Sequence, residues 1–262
     1  TEIYTLSLHD ALPILWVLLA GPPLSFFILV GLVGLGVWWE YYTAVLGPGR
    51  PWLRFLCLLG WASITAGSAW LGLPGLIAGL AMAAAAGFLY FLFTFSRQDQ
   101  LFDQVGRFSL GHIYISLFLS FLIPLYQMEQ GSRWILLALL VTFLSDTSAF
   151  YFGRSLGRRP LYPAVSPKKT WEGLGGSVLG GGVTAGLFAG FFLNAPWYEA
   201  TGLGLFLGLW QAGGDLFESM LKRTAGIKDS GRILMGHGGL WDRLDALLFN
   251  LPLVFLFAFF RG

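Results

Sequence analysis

Stretches of about 20 mostly apolar residues recur along the whole chain, and a stretch of that length crosses a bilayer as an α-helix. They fall near 15–46 (interrupted by Gly21-Pro22-Pro23), 55–70, 75–95, 108–127, 134–152, 174–194, 200–218 and 244–260. The predicted fold is therefore all-α: a polytopic integral membrane protein with about eight transmembrane helices, within a range of seven to nine. Nine results if the first stretch crosses twice. No stretch remains for a soluble domain. Composition agrees, because 11% of residues are charged against roughly 25% in soluble domains. The 36 glycines and 11 tryptophans suit helices that pack closely in lipid and carry Trp at the interfaces.

The charges that do occur are placed unevenly. If the stretches alternate across the membrane, loops 47–54, 96–107, 153–173 and 219–243 share one side and hold 14 of the 16 Lys and Arg. Arg133 and Arg261 fall on the other. Positively charged loops stay on the cytoplasmic face, which orients the chain. A net charge of +2 gives no field of the kind that nucleic acid requires. Cys57 is the only cysteine, so neither an intramolecular disulfide nor a cysteine-built metal site can form. Residues 1–14 are polar, with Glu2, His9 and Asp10, and lack the basic lead of a signal peptide. They read as a truncated or non-native start.

Two regions differ in character. Residues 1–145 are apolar helices with short loops, whereas 146–262 gathers the charges and reads as the catalytic region. Gly182, Gly186 and Gly190 repeat every fourth residue on one helix face, a spacing that admits a neighbouring helix and needs no chemistry to explain it.

Three segments of the second region have the residues for chemistry. Asp146 follows an apolar run, and ionisable groups at membrane depth usually face a cavity or a partner. The plainer alternative is an interfacial Asp in headgroup water. Ser166-Pro167-Lys168-Lys169-Thr170-Trp171-Glu172-Gly173 places two lysines and two hydroxyls where phosphate oxygens could be held. It is equally readable as a basic membrane anchor with an interfacial Trp, and it lacks the spacing of a P-loop. From Gly214 to Asp245, five acids and five bases fall within 32 residues. On a helix, Asp215, Glu218, Ser219 and Lys222 share one face, as do Asp242 and Asp245. Two such faces meeting could hold a hard cation such as Mg²⁺ through oxygen ligands. Structural ion pairs explain this density poorly, since buried pairs rarely offset their desolvation. His237, beside Gly238 and Gly239, reads as part of a tight loop where backbone nears a ligand.

The run Ser219-Met220-Leu221-Lys222-Arg223, Lys228-Asp229-Ser230-Gly231 and His237-Gly238-Gly239-Leu240-Trp241-Asp242-Arg243-Leu244-Asp245 resembles the signature of phosphatidate cytidylyltransferases. Segments 146–154 and 166–173 resemble that family's upstream motifs, in the same order. Trp39-Glu40-Tyr41-Tyr42 is a weaker echo in the first region. Met235 stands where the family usually has Pro, which removes a rigid turn.

The resemblance implies that CTP and phosphatidate are converted to CDP-diacylglycerol and pyrophosphate by a Mg²⁺-dependent enzyme, with a second monovalent cation such as K⁺ beside the Mg²⁺. It implies a homodimer in the bacterial inner membrane, with its active site facing the cytoplasm. Carried over residue by residue, Asp215, Asp242 and Asp245 are the metal set, with the first two as main ligands. Asp215, Lys222, Arg223, Lys228, Asp229 and Asp242 carry catalysis. Ser166, Lys168, Lys169, Asp146, Ser219, His237 and Arg243 contact substrate. A transporter or channel would spread its charges along a midplane path, often in two repeated halves, and neither pattern is found. An inactive relative kept as a membrane scaffold would not need every charged position of the signature. A CDP-alcohol phosphotransferase would carry D-G-x-x-A-R, which is missing from the sequence.

Overall fold

The structure is a computed structural model that describes residues 8–47, 50–95, 100–193, 195–231 and 238–261. Nearly all of it is helical. The helices are α1 (Leu8–Leu19), α2 (Pro23–Tyr41, prolonged by a π-turn over Tyr42–Leu46), α3 (Pro51–Leu71), α4 (Leu73–Phe93), α5 (Leu101–Gln127), α6 (Gly131–Leu156), α7 (Trp171–Phe192), α8 (Trp197–Thr224) and α9 (Trp241–Arg261). Six of them are long and apolar enough to cross a membrane, namely α2, α4, α5, α6, α7 and α9. The expected stretches at 55–70 and 200–218 fall on α3 and α8, which have the length, 21 and 28 residues, but not the apolarity of those six. The chain is an all-α integral membrane protein.

Helix starts follow local chemistry. Prolines open α2, α3 and α4, where the missing N–H has no intrahelical acceptor to lose. Gly72, at φ 62°, reverses the chain between α3 and α4 in a conformation that a side chain would strain. One feature departs from the all-helical expectation. Pro160–Tyr162 (β1) and Ser166–Thr170 (β2) pair antiparallel, so the lysine segment is a strand. It ends where Thr170 Oγ1 accepts from Gly173 N at 3.1 Å and caps α7. Glu172 fastens the approach by accepting from the backbone N–H groups of Arg158 and Arg159.

The described residues form two compact units. The first comprises residues up to Pro124 together with Asp229–Trp241. Its centre is aromatic. Trp38 and Tyr41 are fully buried, and Trp38 Nε1 donates to Ser116 Oγ at 2.8 Å while the Tyr41 hydroxyl donates to Arg107 O at 2.7 Å. His112 lies 4.7 Å from Trp38 and 4.6 Å from Phe108, centroid to centroid.

The second unit holds Leu125–Lys228 and Asp242–Gly262. Here α7 and α8 approach closely at Gly181 and Gly204, where a Cβ on either would lie 2.4 or 2.2 Å from the other's carbonyl oxygen. The predicted glycine stripe does serve packing. Gly182 faces Leu205 and Gly186 faces Thr201, both on α8, but Gly190 opens onto empty space.

Candidate active site

Within the second unit, α8 and α9 bring the predicted acidic faces together. Carboxylate oxygens of Asp215, Glu218 and Asp245 all lie within 4.8 Å of one another. Asp215 and Glu218 are one turn apart on α8, and Asp245 stands in the first turns of α9. The helix ends favour this distribution. Lys222 and Arg223 occupy the last turn of α8 and Asp242 the first turn of α9, matching the negative and positive ends of the helix dipoles.

Two lysines border the carboxylates. Lys169, from β2, is 2.5 Å from Asp215. Lys222 lies 2.7 Å from Glu218 and 2.9 Å from Asp242. Two of the three expected metal ligands, Asp215 and Asp245, thus lie together with Glu218, and the third, Asp242, contacts Lys222. Glu218 lies on the acidic face of α8 that the i, i+3 spacing predicts.

The three carboxylates fit a hard cation. Glu218 is 1% exposed on its side chain, and its Oε1 is buried without a hydrogen-bond partner, while Oε2 takes Lys222. A buried carboxylate oxygen left in that state is costly. Together with Asp242 and with Asp146, which lies within electrostatic reach of Asp215 and Asp245, five carboxylates surround two ammonium groups. By formal charge alone the carboxylates outnumber the ammonium groups by three.

Behind the acids is a polar network that the sequence reading passed over. Gln211 is 1% and Asn250 0% exposed. Gln211 Nε2 donates to Asp146 Oδ1 at 2.8 Å and to Thr142 O at 3.3 Å. Asn250 Nδ2 donates to Thr142 Oγ1 and to Gln211 Oε1, both at 2.9 Å. Every polar atom of the Gln211 amide is therefore used, and Asp146 is held by a side chain one turn before Asp215. The signal in the sequence was a single amide inside each of two apolar runs.

Ser166 and Ser219 are half-buried, whereas Lys168, Arg223, Lys228 and Asp229 are exposed. Arg243 is half-buried in the first turn of α9. His237 and Met235, like Arg97 and Arg232, lie outside the described residues.

In the first unit, Glu40 of α2 proves to be more than an echo. It is 2% exposed. Its carboxylate accepts from Ser230 Oγ at 3.0 Å, Leu240 N at 3.0 Å and Trp241 N at 2.8 Å.

An all-α membrane protein with a partly buried acidic centre bordered by lysines defines the class. The chain belongs to the cytidylyltransferase family, whose model matches residues 5–260. It is 41% identical over 162 residues to a phosphatidate cytidylyltransferase of Bacillus subtilis, covering 61% of this chain and 60% of that protein. To the protein of the same name from Mycobacterium tuberculosis strain H37Rv it is 44% identical over 138 residues, 52% of this chain and 42% of the relative. The Thermotoga maritima protein of that name is 35% identical over 183 residues, 68% of this chain and 67% of the relative. The matches thus span from under half to two thirds of these relatives' lengths.

Proposed function

We propose that this chain is a CTP:phosphatidate cytidylyltransferase, forming CDP-diacylglycerol and pyrophosphate. The observation that carries the reading is the convergence of Asp215, Glu218 and Asp245 within 4.8 Å, with Lys169 and Lys222 against them. Family membership and the names of the relatives support it.

In the reaction, a phosphate oxygen of phosphatidate attacks the α-phosphorus of CTP. The new P–O–P bond forms as the bond from the α-phosphorus to the bridging oxygen breaks, and pyrophosphate leaves. The nucleophile is already anionic near neutral pH, so no general base is required. The obstacle is charge: two polyanions must meet, and charge grows on the leaving group. Asp215, Glu218 and Asp245 would hold a divalent cation such as Mg²⁺, which when bound supplies positive charge to phosphate oxygens.

The chain's own residues do the rest. Lys169 and Lys222, each fixed by a carboxylate, present ammonium groups at the border of the acidic centre. Asp242 holds Lys222 from α9, and Gln211 holds Asp146. Ser166, Lys168, Arg223, Lys228 and Arg243 supply further donors and positive charges for the phosphates of both substrates, with Ser219 and His237 as further substrate contacts and Asp229 as a further catalytic residue. A monovalent cation such as K⁺ belongs to the same proposal.

The site faces the cytoplasm of a bacterial inner membrane, where CTP arrives from water and acyl chains remain in lipid. About eight helices cross the bilayer, α3 and α8 included, and the working form is a homodimer. Purified chain given CTP and phosphatidate should release pyrophosphate, and chelation of divalent cations should stop it. No release with Mg²⁺ present would refute the assignment.

A further inference from the structure

We infer that Thr142, Gln211 and Asn250 are positioning residues for the acidic centre, forming a buried tripod that ties α6, α8 and α9 together and so fixes the spacing of Asp146, Asp215 and Asp245. The inference rests on the proposed reaction, whose divalent cation the carboxylates would hold, and adds to it three uncharged residues.

Three observations carry it. The first is placement. Thr142 stands four residues before Asp146 on α6, Gln211 four residues before Asp215 on α8, and Asn250 five residues after Asp245 on α9. Each helix that contributes a carboxylate therefore also contributes one member of the tripod, roughly 6 to 7.5 Å away along its axis.

The second is closure. Asn250 gives one amide hydrogen to Thr142 Oγ1 and the other to Gln211 Oε1, both at 2.9 Å. Gln211 gives its own to Thr142 O at 3.3 Å and to Asp146 Oδ1 at 2.8 Å. Each of the three helices is thereby bonded to the other two. At exposures of 3%, 1% and 0% water does not compete for these bonds. Sliding one helix by a single residue, about 1.5 Å, would break the set. Between tripod and carboxylates, α8 and α9 touch directly. Trp210 Nε1 donates to Phe249 O at 3.1 Å, and a Cβ on Gly214 would lie 2.8 Å from the Phe249 ring.

The third is cost. Asn250 Oδ1 is buried with no hydrogen-bond partner among the described residues. Leucine would fill the same place without leaving a polar atom unmet, so stability alone does not account for Asn250. What the amide gives and leucine does not is a single register between helices.

Register matters here because the carboxylates repel one another, and untied helices would part. A small cation needs its oxygens near 2.0–2.1 Å in nearly ideal geometry, whereas Ca²⁺ accepts about 2.3–2.6 Å and irregular sets. A loosened tripod should therefore cost the small ion more than the large one. Loss of folded protein would cost both alike.

The test uses the full chain in detergent micelles, as wild type, Asn250→Leu, Thr142→Val, Thr142→Ser and the control Thr184→Val, whose hydroxyl donates to Gly180 O within α7. Mn²⁺ binding is followed by electron paramagnetic resonance and Ca²⁺ binding by displacement of Mn²⁺. Thermal midpoints and pyrophosphate release with CTP and phosphatidate are recorded on the same samples. Asn250→Leu should raise the Kd for Mn²⁺ about tenfold or more and that for Ca²⁺ by less than about threefold. Thr142→Val should shift both in the same direction more weakly. Thr142→Ser, which keeps the hydroxyl, should return both to within about twofold of wild type, and Thr184→Val should leave them unchanged. Wild-type Mn²⁺ affinity in folded Asn250→Leu and Thr142→Val would overturn the inference. So would an equal loss of both ions, or a wild type that binds no Mn²⁺. If Asn250→Leu does not fold, the two Thr142 variants decide on the same criteria. A wild type that releases no pyrophosphate, while the variants still lose Mn²⁺ ahead of Ca²⁺, would refute the proposed reaction and leave the tripod standing.

Discussion

Lys169 and Asp215 stand 2.5 Å apart, one on the β-hairpin before α7 and the other on α8. The hairpin thus delivers a cation to the acidic centre. Both side chains are partly exposed, 24% and 38%, so the pair adds little to stability, about 1 kcal/mol at most. Lys169→Ala should then leave the thermal midpoint within about 2 °C. If Lys169 supports phosphate, the same variant should lose about 10²-fold in kcat/KM. Initial rates and a melting curve on one preparation check both halves.

The three close carboxylates lead to a separate expectation for metal. Asp215→Asn, Glu218→Gln and Asp245→Asn each remove one oxygen ligand and should weaken divalent-cation binding at least tenfold. Asp242→Asn should weaken it less, because Asp242 contacts Lys222 and stands outside the group of three. Mn²⁺ titration followed by electron paramagnetic resonance measures this without turnover. Equal losses in all four variants would put Asp242 among the ligands.

Stability should depend on the amides. Gln211→Leu leaves one N–H of Asn250 Nδ2, in a residue 0% exposed, without its Gln211 acceptor and Asp146 Oδ1 without its Gln211 donor. Each buried group left unmet costs about 1–3 kcal/mol. The thermal midpoint should fall by roughly 5–10 °C. Gln211→Glu keeps an acceptor for Asn250 but sets a second carboxylate against Asp146, and should be worse still. Melting in detergent micelles orders the three proteins.

How much of this was readable beforehand depends on range. The helices were legible because apolar length is a local property: seven of the eight expected stretches fall on α3 to α9, and the interrupted first one is split between α1 and α2 by Pro22 and Pro23. The meeting of Asp215 with Asp245 was legible as two helical faces, since i, i+3 spacing fixes a face. Which acids would touch was not. Asp242 and Asp245 share a face equally well on paper, and only the approach of α8 to α9 gives Asp242 to Lys222 and Asp245 to Asp215 and Glu218. The β-hairpin was missed because Ser166–Thr170 is short and polar and carries no alternation. Glu40 was missed for the opposite reason. Its partners lie 190 residues or more away, and nothing local separates a buried acid with three donors from an interfacial one.

Orientation can be tested inside the second unit alone. Glu129 and Arg158 are both exposed and flank α6, which runs Gly131–Leu156. Its 26 residues extend about 39 Å at 1.5 Å each, more than the roughly 30 Å of a hydrocarbon core. The two residues should therefore lie on opposite faces of the membrane. Cys57, the only native thiol, is buried, and its replacement by Ala gives a clean background. In intact spheroplasts, a membrane-impermeant maleimide should label Glu129→Cys. It should reach Arg158→Cys only after lysis, because Arg158 belongs to the side that holds 14 of the 16 Lys and Arg. Labelling of Arg158→Cys from outside would invert the orientation and move the acidic centre away from the CTP pool, which the proposed reaction cannot survive.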